Sequence, residues 1–225
     1  MELNTAVEAA RRSEGGEAMP VADSAGSGQR TSGLPRGELL RLAHQLFAVS
    51  DAPRSIVFCS AEEDESCGWV CAGTAEALAG LTTRPICVVD ANFAAPSVHV
   101  YFGIGRSPGL SDLLVEAGHL KDFAKPVRGE RLWAMPCGSP LPEPAVLCYS
   151  DAFRSRMEEL RGEFDFVLIN GGRGQDYPGA AQFAPAADGA VLIVKANSTR
   201  REEAIRVKQT LAAVNLALLG AVLVG

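Results

Sequence analysis

Residues 57–80 read VFCSAEEDESCGWVCAGTAEALAG, and this stretch decides how the rest of the chain is read. Its first residues are an apolar run of strand length, and GWVCAGTAEALAG at 68–80 is a run of small residues of helix length. A buried strand, a loop and a small-residue helix, in that order, frame a loop that cradles phosphate on backbone N–H groups. The loop itself contradicts the frame. It reads Glu62-Glu63-Asp64-Glu65-Ser66-Cys67-Gly68-Trp69, with four consecutive acids and no lysine.

Outward from this stretch, strands and helices alternate. RSIVFCSA (54–61), RPICVVDA (84–91), RLWAMPCG (131–138), FDFVLIN (164–170), GAVLIVKA (189–196) and LLGAVLVG (218–225) read as six strands. The spacing predicts helices over RGELLRLAHQLFAV (36–49), over 68–80 with Gly80 as its end, over 109–118 and over 199–215. A further helix over 150–164 is opened by a Ser150/Asp151 cap. The strands are near-continuous apolar runs, the pattern of strands covered on both faces. The fold class expected is α/β: a doubly wound, mainly parallel sheet flanked by helices. Residues 1–34 are rich in Gly, Ser, Ala and Glu and read as a disordered tail with a short helix near Thr5–Arg12, leaving 35–225 as one domain.

The 225 residues are 47% hydrophobic and 21% charged, ordinary for a globular domain. A net charge of −6 gives no general attraction to nucleic acid or anionic lipid, so neither is an expected partner. No run of about 18 apolar residues occurs, so membrane insertion is not expected. The first twenty residues lack an apolar signal core, and a cytoplasmic setting is expected. The six cysteines form no CxxC pair with a histidine partner; small buried residues are the favoured reading over a metal site.

In a parallel sheet, ligands bind beyond the carboxyl ends of the strands. Here those ends are Ser60-Ala61, Asp90-Ala91-Asn92 and Asn170-Gly171-Gly172. A working phosphate loop needs glycines to turn N–H groups inward, a lysine for the β- and γ-phosphates, and a Ser/Thr hydroxyl for Mg²⁺. An acid from another strand end completes the metal site. Four acids in the loop oppose this: at an effective dielectric of ~20, one like-charge pair ~5 Å apart costs about 3 kcal/mol. Asp90 is either a metal-facing carboxylate or a structural cap. Asn170 can hydrogen-bond but cannot serve as a general base.

Several segments together resemble the bacterial tyrosine kinases (BY-kinases) of capsule and exopolysaccharide assembly, members of the MinD/ParA group of P-loop ATPases. Residues 57–79 lie where that family has its first strand and Walker A loop. VVDANFAAPSVHVYFGIGRSPGLSDLL (88–114) is similar to its Walker A′ segment. MPCGSPLPEPAVLCYSDAFRSRMEELRGEFDFVLIN (135–170) is similar to its proline loop, helix and Walker B strand, and ADGAVLIVKANSTRREEA (187–204) to the segment that follows. The likeness covers roughly Arg36 to Gly225. Glu38-x2-Arg41-x2-His44 resembles the family's E-x2-R-x2-R oligomerisation motif, with an ordinary amphipathic helix face as the alternative.

Carried over residue by residue, the resemblance puts the family lysine on Cys67, the Mg²⁺-binding hydroxyl on Gly68 and the next Thr on Trp69. Loop glycines fall on Asp64 and Ser66, the second Walker A′ aspartate on Asn92 and the Walker B aspartate on Asn170; Asp90 matches the first Walker A′ aspartate. Within these 225 residues the tyrosines are Tyr101, Tyr149 and Tyr177, none of them in a cluster like the one the family carries at its C-terminus. These departures imply a pseudokinase with no bound cofactor, working as a regulatory or scaffolding protein. Its partners would be a Wzc/CapA-like membrane chain-length protein or an active BY-kinase paralogue, with a homo-oligomer as a further candidate and a peripheral place at the inner membrane through the partner. One alternative is an active kinase or ATPase that takes ATP and Mg²⁺ with residues supplied in trans. Another is a MinD/ParA-like positioning scaffold.

Overall fold

The computed structural model describes residues 34–49, 51–62, 66–142, 148–174 and 180–225. The expected short helix near Thr5–Arg12, loop residues Glu63, Asp64 and Glu65, residues 143–147 of the proline-rich loop, and Tyr177 lie outside them. The described residues belong to one compact unit, Ser32–Gly225.

The helices among these residues are α1 (Arg36–Phe47), α2 (Ser66–Leu81), α3 (Val98–Phe102), α4 (Leu110–Val115), α5 (Leu120–Phe123), α6 (Asp151–Glu163) and α7 (Arg201–Ala213), with a 3-10 helix at Ala180–Ala186. The strands are β1 (Ser55–Ser60), β2 (Ile86–Asp90), β3 (Lys125–Arg128), β4 (Leu132–Met135), β5 (Phe166–Arg173), β6 (Gly189–Lys195) and β7 (Leu218–Val224). They form one sheet in the order β3-β4-β2-β5-β1-β6-β7. Every neighbouring pair is parallel except β3–β4.

All six expected strands are present, and the seventh, β3, is an addition. Its four residues KPVR alternate half-buried and exposed, and it runs antiparallel on the sheet edge. That position tolerates the proline, whose missing N–H would break a ladder in the interior. Gly80 does not end α2, which runs one residue further to Leu81. Ser150 caps α6 as expected, its Oγ accepting from the Phe153 N–H at 3.1 Å.

The central strands are buried on both faces. On one face Ile56, Phe58, Val88 and Leu168 pack with Leu39, Ala43 and Phe47 of α1 and with Val70, Cys71, Ala75 and Leu78 of α2. On the other, Val57, Val89, Val167 and Ile169 pack with Phe153, Met157 and Leu160 of α6, Val207 and Leu211 of α7, and Phe183 of the 3-10 helix. All six cysteines are buried and unbridged. Burial holds the thiols of Cys59, Cys137 and Cys148 up at about 12 and raises those of Cys71 and Cys87 too, so none of these five is poised as a thiolate. No helix among the described residues is long and apolar enough to cross a membrane.

Candidate functional site

The sheet order sets β2, β5 and β1 side by side, so the three strand ends singled out in the sequence meet. Asp90 and Asn170 are register partners. Asn170 Nδ2 donates to Asp90 Oδ1 at 2.9 Å, and the Asn92 N–H donates to the same oxygen at 3.3 Å. Asp90 Oδ2 accepts from the N–H groups of Ser97 at 2.8 Å and Val98 at 2.9 Å, which open α3. The carboxylate therefore receives four N–H donors while fully buried. Burial pushes its pKa up to about 6, against the downward pull of the bonds from Val98, Ser97, Asn92 and Asn170.

The rest of the knot closes around this pair. Asn170 Oδ1 accepts from the Gly172 N–H at 3.3 Å, and Asn92 Oδ1 from the Ala95 N–H at 3.0 Å. Gly172 has φ +65°, and a Cβ there would sit 2.6 Å from Asn92 Cγ, so glycine is required twice over. The start of α2 comes equally close: a Cβ on Gly68 would lie 2.0 Å from Ser97 Oγ and 2.8 Å from Asn170 Nδ2. Cys67, where the resemblance places a lysine, is buried in the cluster shared by α1, α2 and the sheet. Trp69 is nearly buried, edge-on to Tyr101 with ring centroids 5.2 Å apart.

Of the acidic loop, Glu62 is described. Its Oε2 accepts from Ser198 Oγ at 2.8 Å, and its carbonyl accepts from Ser60 Oγ. Arg173, at the end of β5, donates through Nε to the Ala61 carbonyl at 3.3 Å, which sets a cation beside the loop. The sequence offered no reason to single out Arg173. Ser97 was missed as well, although a Ser directly before the apolar VHVYF is a helix-start signal.

The fold brings together Gly68, Asp90, Asn92 and Asn170, and leaves Glu38, Arg41 and His44 apart on the outer side of α1. There Glu38 and Arg41 pair with each other and His44 is exposed. The strand-end residues do not fit a magnesium ion. The one carboxylate is engaged by four donors, its two neighbours are amides, and position 68 carries no side chain. Among the described residues no group of three or more His, Cys, Asp or Glu is gathered to hold a metal. As built, the arrangement anchors the start of α3 to the sheet, the cap reading of Asp90.

No family model matches the chain. It is 27% identical over 136 residues to a putative tyrosine-protein kinase CapB of Staphylococcus aureus, and 25% identical over 142 residues to the tyrosine-protein kinase YwqD of Bacillus subtilis. These matches cover 60% and 63% of this chain, and 60% of each relative's length. Among solved structures, the chimerical protein CapA2B2 superposes with a TM-score of 0.77 at 25% identity, over 83% of both chains. The VpsO kinase domain superposes at 0.76 and 20% identity, over 84% of this chain and 94% of that one. MinD of Pyrococcus horikoshii, solved with Mg-ADP, superposes at 0.63 and 21% identity, over 76% of this chain and 69% of that one. In sequence the chain is similar to bacterial tyrosine-protein kinases of the CapB, YwqD and Wzc type, and its fold is the one shared by their kinase domains and by MinD/ParA-like ATPases.

Proposed function

We propose that this chain is a catalytically silent member of that group, a pseudokinase that regulates or scaffolds capsule or exopolysaccharide synthesis and export. The observation that carries the reading is the direct bond from Asn170 to Asp90, closed off by Gly68 and Ser97 where a nucleotide-bound magnesium would need acid and hydroxyl ligands. A retained fold without an open metal site leaves binding to another protein as its use. By its kinship the partner is a Wzc/CapA-like membrane chain-length protein or an active kinase paralogue, which would hold the chain at the inner face of the membrane. The test is calorimetry of ATP and ADP on the purified chain, with and without Mg²⁺. No heat at millimolar nucleotide is expected; micromolar, Mg²⁺-dependent binding overturns the reading.

A second reading, an active kinase or ATPase, draws support from Arg173, whose guanidinium stands at the edge of the loop that lacks a lysine. In that reading Arg173 supplies the cation for phosphate, and Arg173→Ala abolishes whatever nucleotide binding calorimetry detects.

A further inference from the structure

The missing side chain of Gly68 is put to use by the fold. The volume beside its Cα is filled by Ser97 Oγ, which would lie 2.0 Å from a Cβ at position 68. Real Cβ contacts essentially never fall below 3.0 Å. The Ser97 side chain is fully buried, and its hydroxyl has no hydrogen-bond partner. A buried hydroxyl left unpaired is unfavourable, so its presence is not explained by hydrogen bonding. Its backbone cannot retreat cheaply, because the Ser97 and Val98 N–H groups are both bonded to Asp90 Oδ2. The contact at 2.8 Å to Asn170 Nδ2 is the milder of the two, since it falls only slightly short of the 3.0 Å limit.

We propose that Ser97 is a steric plug at the start of α2, coupled to Gly68, so that position 68 accepts a side chain only after Ser97 has lost its hydroxyl. This rests on the reading of the site as one that takes no magnesium nucleotide, and it gives that state a physical lock. A hydroxyl cannot return to position 68 by one substitution. Two side chains must change together.

The test is a double-mutant cycle on the full chain, read by thermal unfolding. Ser97→Ala alone removes an unpaired hydroxyl and should leave the midpoint unchanged or raise it. Gly68→Ala alone should lower the midpoint by several degrees, against the ordinary gain from replacing a helical glycine with alanine. In the Ser97→Ala background the same substitution should lower it by much less or raise it. If Gly68→Ala alone is too unstable to purify, recovery of folded double variant gives the same comparison. Equal shifts in both backgrounds, loss of folding in both, or no fall from Gly68→Ala alone would overturn the plug. Calorimetry with Mg-ADP on the unmodified chain decides the underlying reading separately. Binding there refutes a silent site whatever the cycle shows, and a failed cycle removes the plug while leaving a silent site standing.

Discussion

Asp90 is the ionisable member of the strand-end knot, and its protonation makes a pH prediction. Its folded pKa of about 6 exceeds the ordinary 3.8. Between those values the folded protein holds a proton that the unfolded chain has released. This group's contribution to stability is therefore most favourable below about pH 4 and declines as pH rises through 6. A gap of roughly two pH units corresponds to about 3 kcal/mol. Asp165 and Asp188 act in the opposite sense. Arg84 holds Asp165 low, and Arg161 with the Arg54 and Ser55 N–H groups outweighs burial at Asp188; both lose their benefit only as pH falls below the ordinary carboxylate range. From pH 7 to 5, urea unfolding of the parent should show a gain that Asp90→Asn lacks, because an amide does not titrate, while its oxygen can still accept from Ser97 and Val98. Asn170→Asp is the complementary test. It sets a second buried carboxylate against Asp90, where 2.9 Å now separates donor from acceptor. A loss of about 3 kcal/mol at pH 7 is expected, shrinking toward pH 5 as the pair comes to share a proton.

Helix α1 separates two roles along one element. Leu39, Ala43 and Phe47 face inward, and Phe47 meets Phe166 edge-on at 5.3 Å. Phe47→Ala should cost about 3–4 kcal/mol in denaturant unfolding. Arg41 stands outside, 71% exposed and paired with Glu38. Arg41→Ala should change unfolding by no more than about 0.5 kcal/mol. The resemblance of Glu38, Arg41 and His44 to an oligomerisation motif is tested by light scattering: a smaller mass for the variant than for the parent supports an oligomer surface, and equal masses leave an ordinary helix face. Strands such as β1 and β5 were legible because burial on both faces writes an unbroken apolar run. β3 was not, since a four-residue edge strand of alternating exposure containing a proline gives neither a run nor a clean period. α3 was hidden for another reason. VHVYF has strand composition, and its helix is started by the two N–H groups that Asp90 accepts from a separate strand. At the site, Asp90 and Asn170 could be read as strand ends. The plug could not, because the approach of Gly68 to Ser97 exists only once the sheet and two helices are assembled.

At the scale of the Ser32–Gly225 unit, the described residues form a sheet between two apolar clusters, with the strand-end knot at the carboxyl ends of its central strands. A ligand at 100 times its Kd would add about 2.7 kcal/mol to stability. Millimolar Mg-ATP should therefore leave both the unfolding midpoint and the emission of Trp69 unchanged if the knot stays closed. The two borders of the sheet differ sharply. β3 carries Lys125, Pro126 and Arg128, residues that discourage another strand from pairing. β7 forms the opposite border, LLGAVLV, without a charge or a proline, and with Leu219 and Leu223 more than 40% exposed. A concentrated solution should accordingly begin to aggregate from the β7 side. Leu223→Lys should delay turbidity with little effect on unfolding, whereas Val127→Lys should not delay it. The shelf life of the purified protein should then be set at the flank of the sheet farthest from its guarded edge.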